Sequence, residues 1–300
     1  MRRNFCFMLK SFLGDVDYAS RLIKSFNKYN RDNIHMYIVL PTEDIMEFKK
    51  ISEYKNISLL DENKFRANLV YDHSIRNVRP GYINQAIIKL AFWESELCDN
   101  YFCIDSDSEF IKDFFLKDFM SNDNTPFSVL VEDKELQVDK VYYDIYWKGR
   151  EASLNKIKEF IDFSDPRILT CHGNTTFNYN VLKSFKQNFL DKKSLTYKDI
   201  MIISGYEFSW YNFWLQKSKI IPIEIKEPFF KMFHIKEHHL NYLRMGIKLE
   251  DIARGYVGII INSNYSRGYG LISYNTKNPY KKSLTHYLKA IYRRISNLKN

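Results

Sequence analysis

The first half of the chain alternates short apolar runs with amphipathic stretches. NFCFML (4–9) predicts a strand. Asp15 then stands as a helix cap before Ala19, Leu22, Ile23 and Phe26, which recur at helical spacing. HMYIVLP (35–41) predicts a second strand ended by Pro41. TEDIMEFKKI (42–51) predicts a helix with Thr42 as its cap and acidic residues in its first turn. NISLLD (56–61) reads as a strand, and GYINQAIIKLAFWES (81–95) as a helix with Ile83, Ile87, Leu90 and Phe92 near one face. YFCI (101–104) is a fourth strand and PFSVLVED (126–133) a fifth. Such alternation implies βαβ units and a mostly parallel sheet.

The second half is more helical. SLNKIKEFIDF (153–163), YNVLKSFKQNFL (179–190) and YEFSWYNFWLQK (206–217) predict helices, while IIPIEI (220–225) and FFKMFHI (229–235) predict strands. No repeat or low-complexity linker interrupts this order. The expected organisation is an α/β domain over residues 1–250, followed by a tail over 251–300. Within the tail, Leu284, Leu288, Ile291, Ile295 and Leu298 are spaced as one face of a helix with basic residues around it.

Charge sharpens this division. The chain has 45 basic and 36 acidic residues, and nine basic residues follow Asp251, the last acidic one. The basicity is therefore a property of the tail, and residues 1–251 are neutral. A basic amphipathic helix suits an anionic membrane surface. A neutral body excludes nucleic acid as the expected partner. The four cysteines, Cys6, Cys98, Cys103 and Cys171, lack Cys-x-x-Cys spacing, so reduced, buried thiols in a cytoplasmic protein are expected. Lys10 cuts the N-terminal apolar run too short for a leader, and no window reaches the ~20 apolar residues of a membrane span. The expected location is cytoplasmic, at most peripheral on the inner face of the membrane.

The candidate chemistry lies where the fourth strand runs into Asp105-Ser106-Asp107. Ligands in parallel sheets bind beyond the carboxyl ends of strands, which is where these carboxylates fall. An EF-hand loop is excluded, because Phe110 holds its glycine position and Leu116 its final glutamate position. A haloacid-dehalogenase-type phosphatase remains an alternative, weakened by Glu109 in the Thr/Val place of that motif. Carboxylates that merely cap a following helix are the plain structural reading. Mg²⁺ or Mn²⁺ bridging a carboxylate and a diphosphate is the functional one.

The surroundings favour the last. RPGYINQAIIKLAFWESELCDNYFCIDSDSEFIKDF (79–114) resembles the donor-site region of bacterial GT-A glycosyltransferases, and more narrowly a family of glycosyltransferase-like proteins from surface-polysaccharide gene clusters. The matching positions are Gly81, Tyr82, Gln85, Lys89, Asp105, Asp107, Asp113 and Phe114. The resemblance implies a GT-A fold, a nucleotide-sugar donor with UDP favoured by the fold, and Mn²⁺ or Mg²⁺. It implies that Asp107 binds the metal, that Asp105 contacts ribose or a metal-bound water, and that Gln85 and Lys89 line the donor side. A glycan or lipid-linked glycan acceptor of capsule or lipooligosaccharide type follows, with the basic tail holding the enzyme near it. The rival from another class is a non-catalytic glycan- or membrane-binding protein.

Other candidates complete this expectation. Glu207 precedes an aromatic-rich helix and is the candidate general base, with Trp210 as a stacking surface for acceptor. Its plain reading is a first-turn acid favoured by the helix dipole, with Trp210 in the core. His234, with His238 second, is the candidate that completes the metal site. The His-x-x-Glu-His spelling of 234–238 lacks the downstream acid and the helix that an inverted zinc-peptidase motif needs. His172 and Asn174 are acceptor candidates in a turn-forming segment. Arg79, with Arg76 beside it, can meet phosphate.

Overall fold

The computed structural model describes residues 2–73, 75, 78–122, 124–171, 173–266, 269, 271–276 and 279–280. The helix expected at 284–298 lies outside the described residues, as do Arg76 and His172.

The first four predicted strands form as β1 (Arg3–Lys10), β2 (Met36–Leu40), β3 (Ile57–Asp61) and β4 (Cys98–Ile104). They run parallel in the order β3-β2-β1-β4. β1 and β2 are almost wholly buried, which is why they read as unbroken apolar runs rather than alternating ones. α1 (Val16–Tyr29) buries Ala19, Leu22, Ile23 and Phe26, the stripe its spacing predicts. α2 (Pro80–Ala91) starts on a proline, whose missing N–H costs nothing at a helix start. The segment after Pro41 differs from expectation. It begins as a 3₁₀ turn capped by Pro41, and the Thr42 hydroxyl donates to Asp61 instead of capping.

The expected fold class holds: a mostly parallel central sheet flanked by helices, with a more helical C-terminal half that includes α3 (Lys148–Phe160), α4 (Glu207–Ser218) and α5 (Lys236–Arg244). Three strand assignments are corrected. β5 (Ser108–Phe110) follows the Asp-Ser-Asp turn directly. The run at 126–133 yields only β6 (Phe127–Val129), which leaves the central sheet to pair with β8 (Glu224–Lys226). The fifth central strand is instead β7 (Thr175–Asn178), antiparallel to β4. Its polar sequence disguises it. Thr175 and Thr176 are β-branched and fully buried, and Asn178 caps the next helix while donating to Asn100.

A second sheet has the order β5-β10-β9, with β9 (Phe230–Phe233) and β10 (Gly258–Ile261) parallel. β10 lies inside the segment assigned to the tail, yet it is fully buried between β5 and β9, so that segment contributes to the body. Beneath the Asp-Ser-Asp turn, Phe7, Phe26, Phe102, Phe110, Phe114, Phe119 and Phe230 interlock, mostly edge to face. Such pairs add directional preference to apolar burial and hold the turn on a stiff base.

Gly258 shows how tight that base is. A Cβ there would collide with the Phe230 ring and stand 2.7 Å from the Glu109 carbonyl oxygen. Gly258→Ala is expected to lower stability in urea unfolding by about 1–3 kcal/mol, the usual cost of overpacking. An unchanged midpoint would show that β5 and β9 yield freely.

The cysteine expectation is corrected in part. Cys6 and Cys98, on the neighbouring strands β1 and β4, form a disulfide, whereas Cys103 and Cys171 are free and buried. No helix among the described residues is long and apolar enough to cross a membrane.

Candidate functional site

A cleft of about 790 Å³ opens over the carboxyl ends of β1 and β4. From β1 the sheet continues to β2 on one side and to β4 on the other, so the chain connections part here. Such a switch point leaves a crevice that crossovers do not fill. Its floor is a hydrogen bond between the Ser11 and Ser106 hydroxyls, 2.9 Å long, joining the two strand ends.

Three parts of the chain bring charge to this floor. The Lys89 side chain, 2% exposed, places its ammonium 2.8 Å from Asp105 Oδ1 and 2.8 Å from Glu207 Oε1. Gln85, one turn earlier on α2, donates to the same Asp105 oxygen at 3.0 Å. Helical spacing explains the pairing, since residues four apart share a face. Burial alone would depress the Lys89 ammonium, but Asp105 and Glu207 together outweigh it and hold its pKa above the ordinary lysine value. The Phe208 ring lies 4.5 Å from the ammonium and closes it off.

Asp107 is held differently. Its Oδ2 accepts from the Ser263 backbone N–H at 2.7 Å. Burial and repulsion from Asp105 push its pKa up to about 6, against the Ser263 N–H, which favours the charged form. Asp107 is thus the carboxylate here whose charge changes near neutrality.

The cleft as a whole is acidic. Asp15, Glu43, Asp44, Glu62, Asp105, Asp107 and Glu207 line it, against Lys10, Arg79 and Lys89. Lys10 is paired with Glu62 at 2.9 Å, and Lys89 with two carboxylates. Arg79 stands at the entrance as the cap residue of α2, with Gly81 and Tyr82 beside it.

The structure therefore gathers Gln85, Lys89, Asp105, Asp107, Arg79 and Glu207 in one cleft. It does not bring Trp210, His234 or Asn174 into the cleft lining. Trp210 is wholly buried, its indole N–H donating to the Ser204 carbonyl and its ring packed on Phe160 and Phe185. It is a core residue because α4 is buried nearly all round. His234 lies just past β9 among Tyr142 and His238, outside the cleft lining, although Met232 on the same strand reaches it. Asn174 is buried, donating to the Ser108 hydroxyl beneath the Asp-Ser-Asp turn. His172 falls outside the described residues.

Sequence reasoning missed Asn262, Ser263 and Asn264, which line the cleft beside Asp107. Their signal was present: GIII running into Asn-Ser-Asn repeats the pattern of YFCI running into Asp-Ser-Asp. Lys10, Ser11 and Glu62 likewise sit where apolar strands end.

The fold and cleft define an α/β protein with a carboxylate-rich site at a sheet switch point. The chain belongs to the DUF6492 family, a family of unknown function, whose profile matches residues 9–158. No curated protein matches the chain. Among solved structures, the apo form of the bifunctional glycosyltransferase WbbM is similar, with TM-score 0.47 and 11% identity over 87% of this chain and 46% of that one. The chain thus spans less than half the length of WbbM.

Proposed function

We propose that the protein is a glycosyltransferase that binds a nucleotide-sugar with a divalent cation in this cleft and transfers the sugar to a glycan acceptor. The observation that carries the reading is the charge of the cleft. Seven carboxylates face three cations, two of which are already paired. A diphosphate alone would be repelled from such a lining. A hard cation removes the repulsion and neutralises both sides.

The donor set fits Mn²⁺ or Mg²⁺. Asp107 faces the cleft with Asp105, and both offer hard oxygen. Among the described residues, no group of three or more His, Cys, Asp or Glu stands at metal spacing. That also fits, since Mg²⁺ is commonly held by one or two carboxylates, with phosphate and water completing it. Asp107 would hold the cation, and the cation would supply charge stabilisation for the departing nucleotide.

The remaining roles belong to this chain's own groups. Glu207 would accept the proton of the acceptor hydroxyl, and Lys89 fixes the direction of its carboxylate. Lys89 is thereby a positioning residue, because its ammonium is engaged by Asp105 and Glu207 rather than open to the donor. Arg79, which lines the cleft, would meet phosphate. A bacterial surface glycan on a lipid carrier remains the proposed acceptor, with UDP the proposed nucleotide and the inner membrane face the proposed place of work.

A thermal-shift panel tests this. UDP, GDP, CMP and ADP are each added with Mn²⁺ or EDTA to the wild type, Asp105→Ala and Asp107→Ala. A ligand at 100 times its Kd stabilises by about 2.7 kcal/mol. The expected result is a rise with one nucleotide that requires Mn²⁺ and disappears in Asp107→Ala. No rise with any of them would overturn the reading.

A further inference from the structure

Next to Glu207 in the chain stands Tyr206, where four separate stretches bring polar and aromatic side chains together. Asp133 arrives from a loop, Tyr142 and Arg150 from the helical run that becomes α3, Tyr206 from the turn before α4, and His234 and His238 from the end of β9 and the start of α5. Segments this far apart in sequence converge on a purely local feature only if the fold brings them there.

Each group has a definite setting. The Arg150 side chain is buried, the residue 6% exposed; its Nη2 donates to the Cys171 carbonyl at 2.8 Å, and its guanidinium lies 5.0 Å over the Tyr206 ring. Tyr142 sits 5.1 Å from the His234 ring and 6.2 Å from His238, ring centre to ring centre. His238 donates to Asp139 at 2.9 Å. Asp133 has a left-handed backbone (φ 53°) at the cap of the helix Lys134–Val138, yet its carboxylate does not cap that helix. A non-glycine residue in that conformation is uncommon and needs support from its surroundings. The Asp133 carboxylate is half-buried; burial raises its pKa, and the nearby charges of Arg150 and His234 oppose that rise without cancelling it.

This cluster is continuous with the cleft. Tyr206 lies between Gly205 and Glu207, both of which line it. His234 follows Met232, another lining residue, along the same strand end. Gly173, with φ 112°, stands where a Cβ would come within 3.3 Å of Met232 and 3.6 Å of Ile260, both cleft-lining residues. Asp133, Tyr206 and His238 are partly exposed, whereas Tyr142, Arg150 and His234 are buried beneath them.

We propose that Asp133, Tyr206 and His238, resting on Tyr142, Arg150 and His234, form a subsite for an uncharged, hydroxyl-rich sugar, the acceptor, beside Glu207. This rests on the transferase reading above. The chemistry selects the class. A partly exposed tyrosine ring offers an apolar face to the C–H side of a pyranose, and a carboxylate accepts from its hydroxyls. The Arg150 guanidinium is turned inward onto a carbonyl and a ring. The partly exposed acids, Asp133 and Asp139, would repel a uronate or a phosphorylated sugar.

Saturation-transfer NMR tests the subsite on the full chain with Mn²⁺ and the nucleotide that gives the largest thermal shift. The probe is an equimolar mixture of methyl glycosides of glucose, galactose, mannose, N-acetylglucosamine and glucuronic acid. Wild type is expected to saturate at least one neutral glycoside and to leave the glucuronide untouched. Asp133→Asn and Tyr206→Leu should each lose at least half of that signal while keeping the nucleotide-induced thermal shift, which also reports that they fold. Equal signal in both variants, preference for the glucuronide, or no saturation of any glycoside while nucleotide still binds would overturn the subsite and leave the donor reading standing. Absence of nucleotide binding in the wild type would remove both.

Discussion

Replacing Lys89 with methionine is expected to cost about 3 kcal/mol of folding stability, the scale on which breaking a buried ion pair leaves a charge uncompensated. The ammonium is 2% exposed and neutralises two carboxylates at 2.8 Å each. Methionine fills similar volume but leaves both without a counter-charge. Glu207 has little escape, at 13% side-chain exposure, while Asp105, at 28%, can recruit water, so the figure belongs near the low end for buried pairs. Urea unfolding at neutral pH measures the loss. A second variant supplies the control. Lys89→Met with Glu207→Gln removes one of the stranded charges and is expected to recover part of the loss, although each single change destabilises by itself. Non-additivity of this sign is the signature of a shared network. A loss below about 1 kcal/mol would place the triad with ordinary surface pairs and remove Lys89 from the positioning role.

Much of this site could be read from sequence, for a definite reason. Asp105 and Asp107 are local to one strand end, and Gln85 and Lys89 to one helix face, so spacing alone brings each pair together. The apolar strands β1, β2 and β4 announce themselves because both of their faces are buried. Contacts set by long separation stay hidden. Lys89 meets Glu207 across 118 residues, and Ser263 meets Asp107 across 156. The disulfide joins residues 92 apart with no spacing signal. β7 was hidden by composition, because Thr-Thr-Phe-Asn looks like a turn, yet it pairs antiparallel with β4 along its whole length. Trp210 misled for the opposite reason. An aromatic-rich segment after an acid suggests a binding face, but rings recurring all round a helix indicate a buried one.

Asp107 sets stability against function, and its asparagine variant should expose that opposition. Burial beside Asp105 pushes its pKa up to about 6 from the ordinary aspartate value of 3.8. A raised acid favours the folded state when protonated. Its contribution is fully present below pH 3.8, declines as pH rises, and is lost above about 6. At pH 7.5 the charged Asp107 therefore costs the cation-free protein roughly 3 kcal/mol, the free-energy equivalent of that gap. An asparagine side chain carries no charge at any pH, and its amide oxygen can still accept from the Ser263 N–H. Asp107→Asn is accordingly expected to be more stable than wild type at pH 7.5 by up to about that amount, with the gain shrinking toward zero near pH 4. Mn²⁺ with nucleotide should reverse the order at pH 7.5, because only the wild type can neutralise its carboxylate by binding the cation. Acidification should also weaken Mn²⁺ binding by the wild type, about tenfold for each pH unit below 6, since the proton competes for the same oxygens. Thermal melts of both proteins across pH 4–8, with and without Mn²⁺ and nucleotide, measure all three. A variant that is less stable than wild type at pH 7.5 would mean that the fold stabilises the ionised Asp107 carboxylate, so that no uncompensated charge stands there for a cation to neutralise.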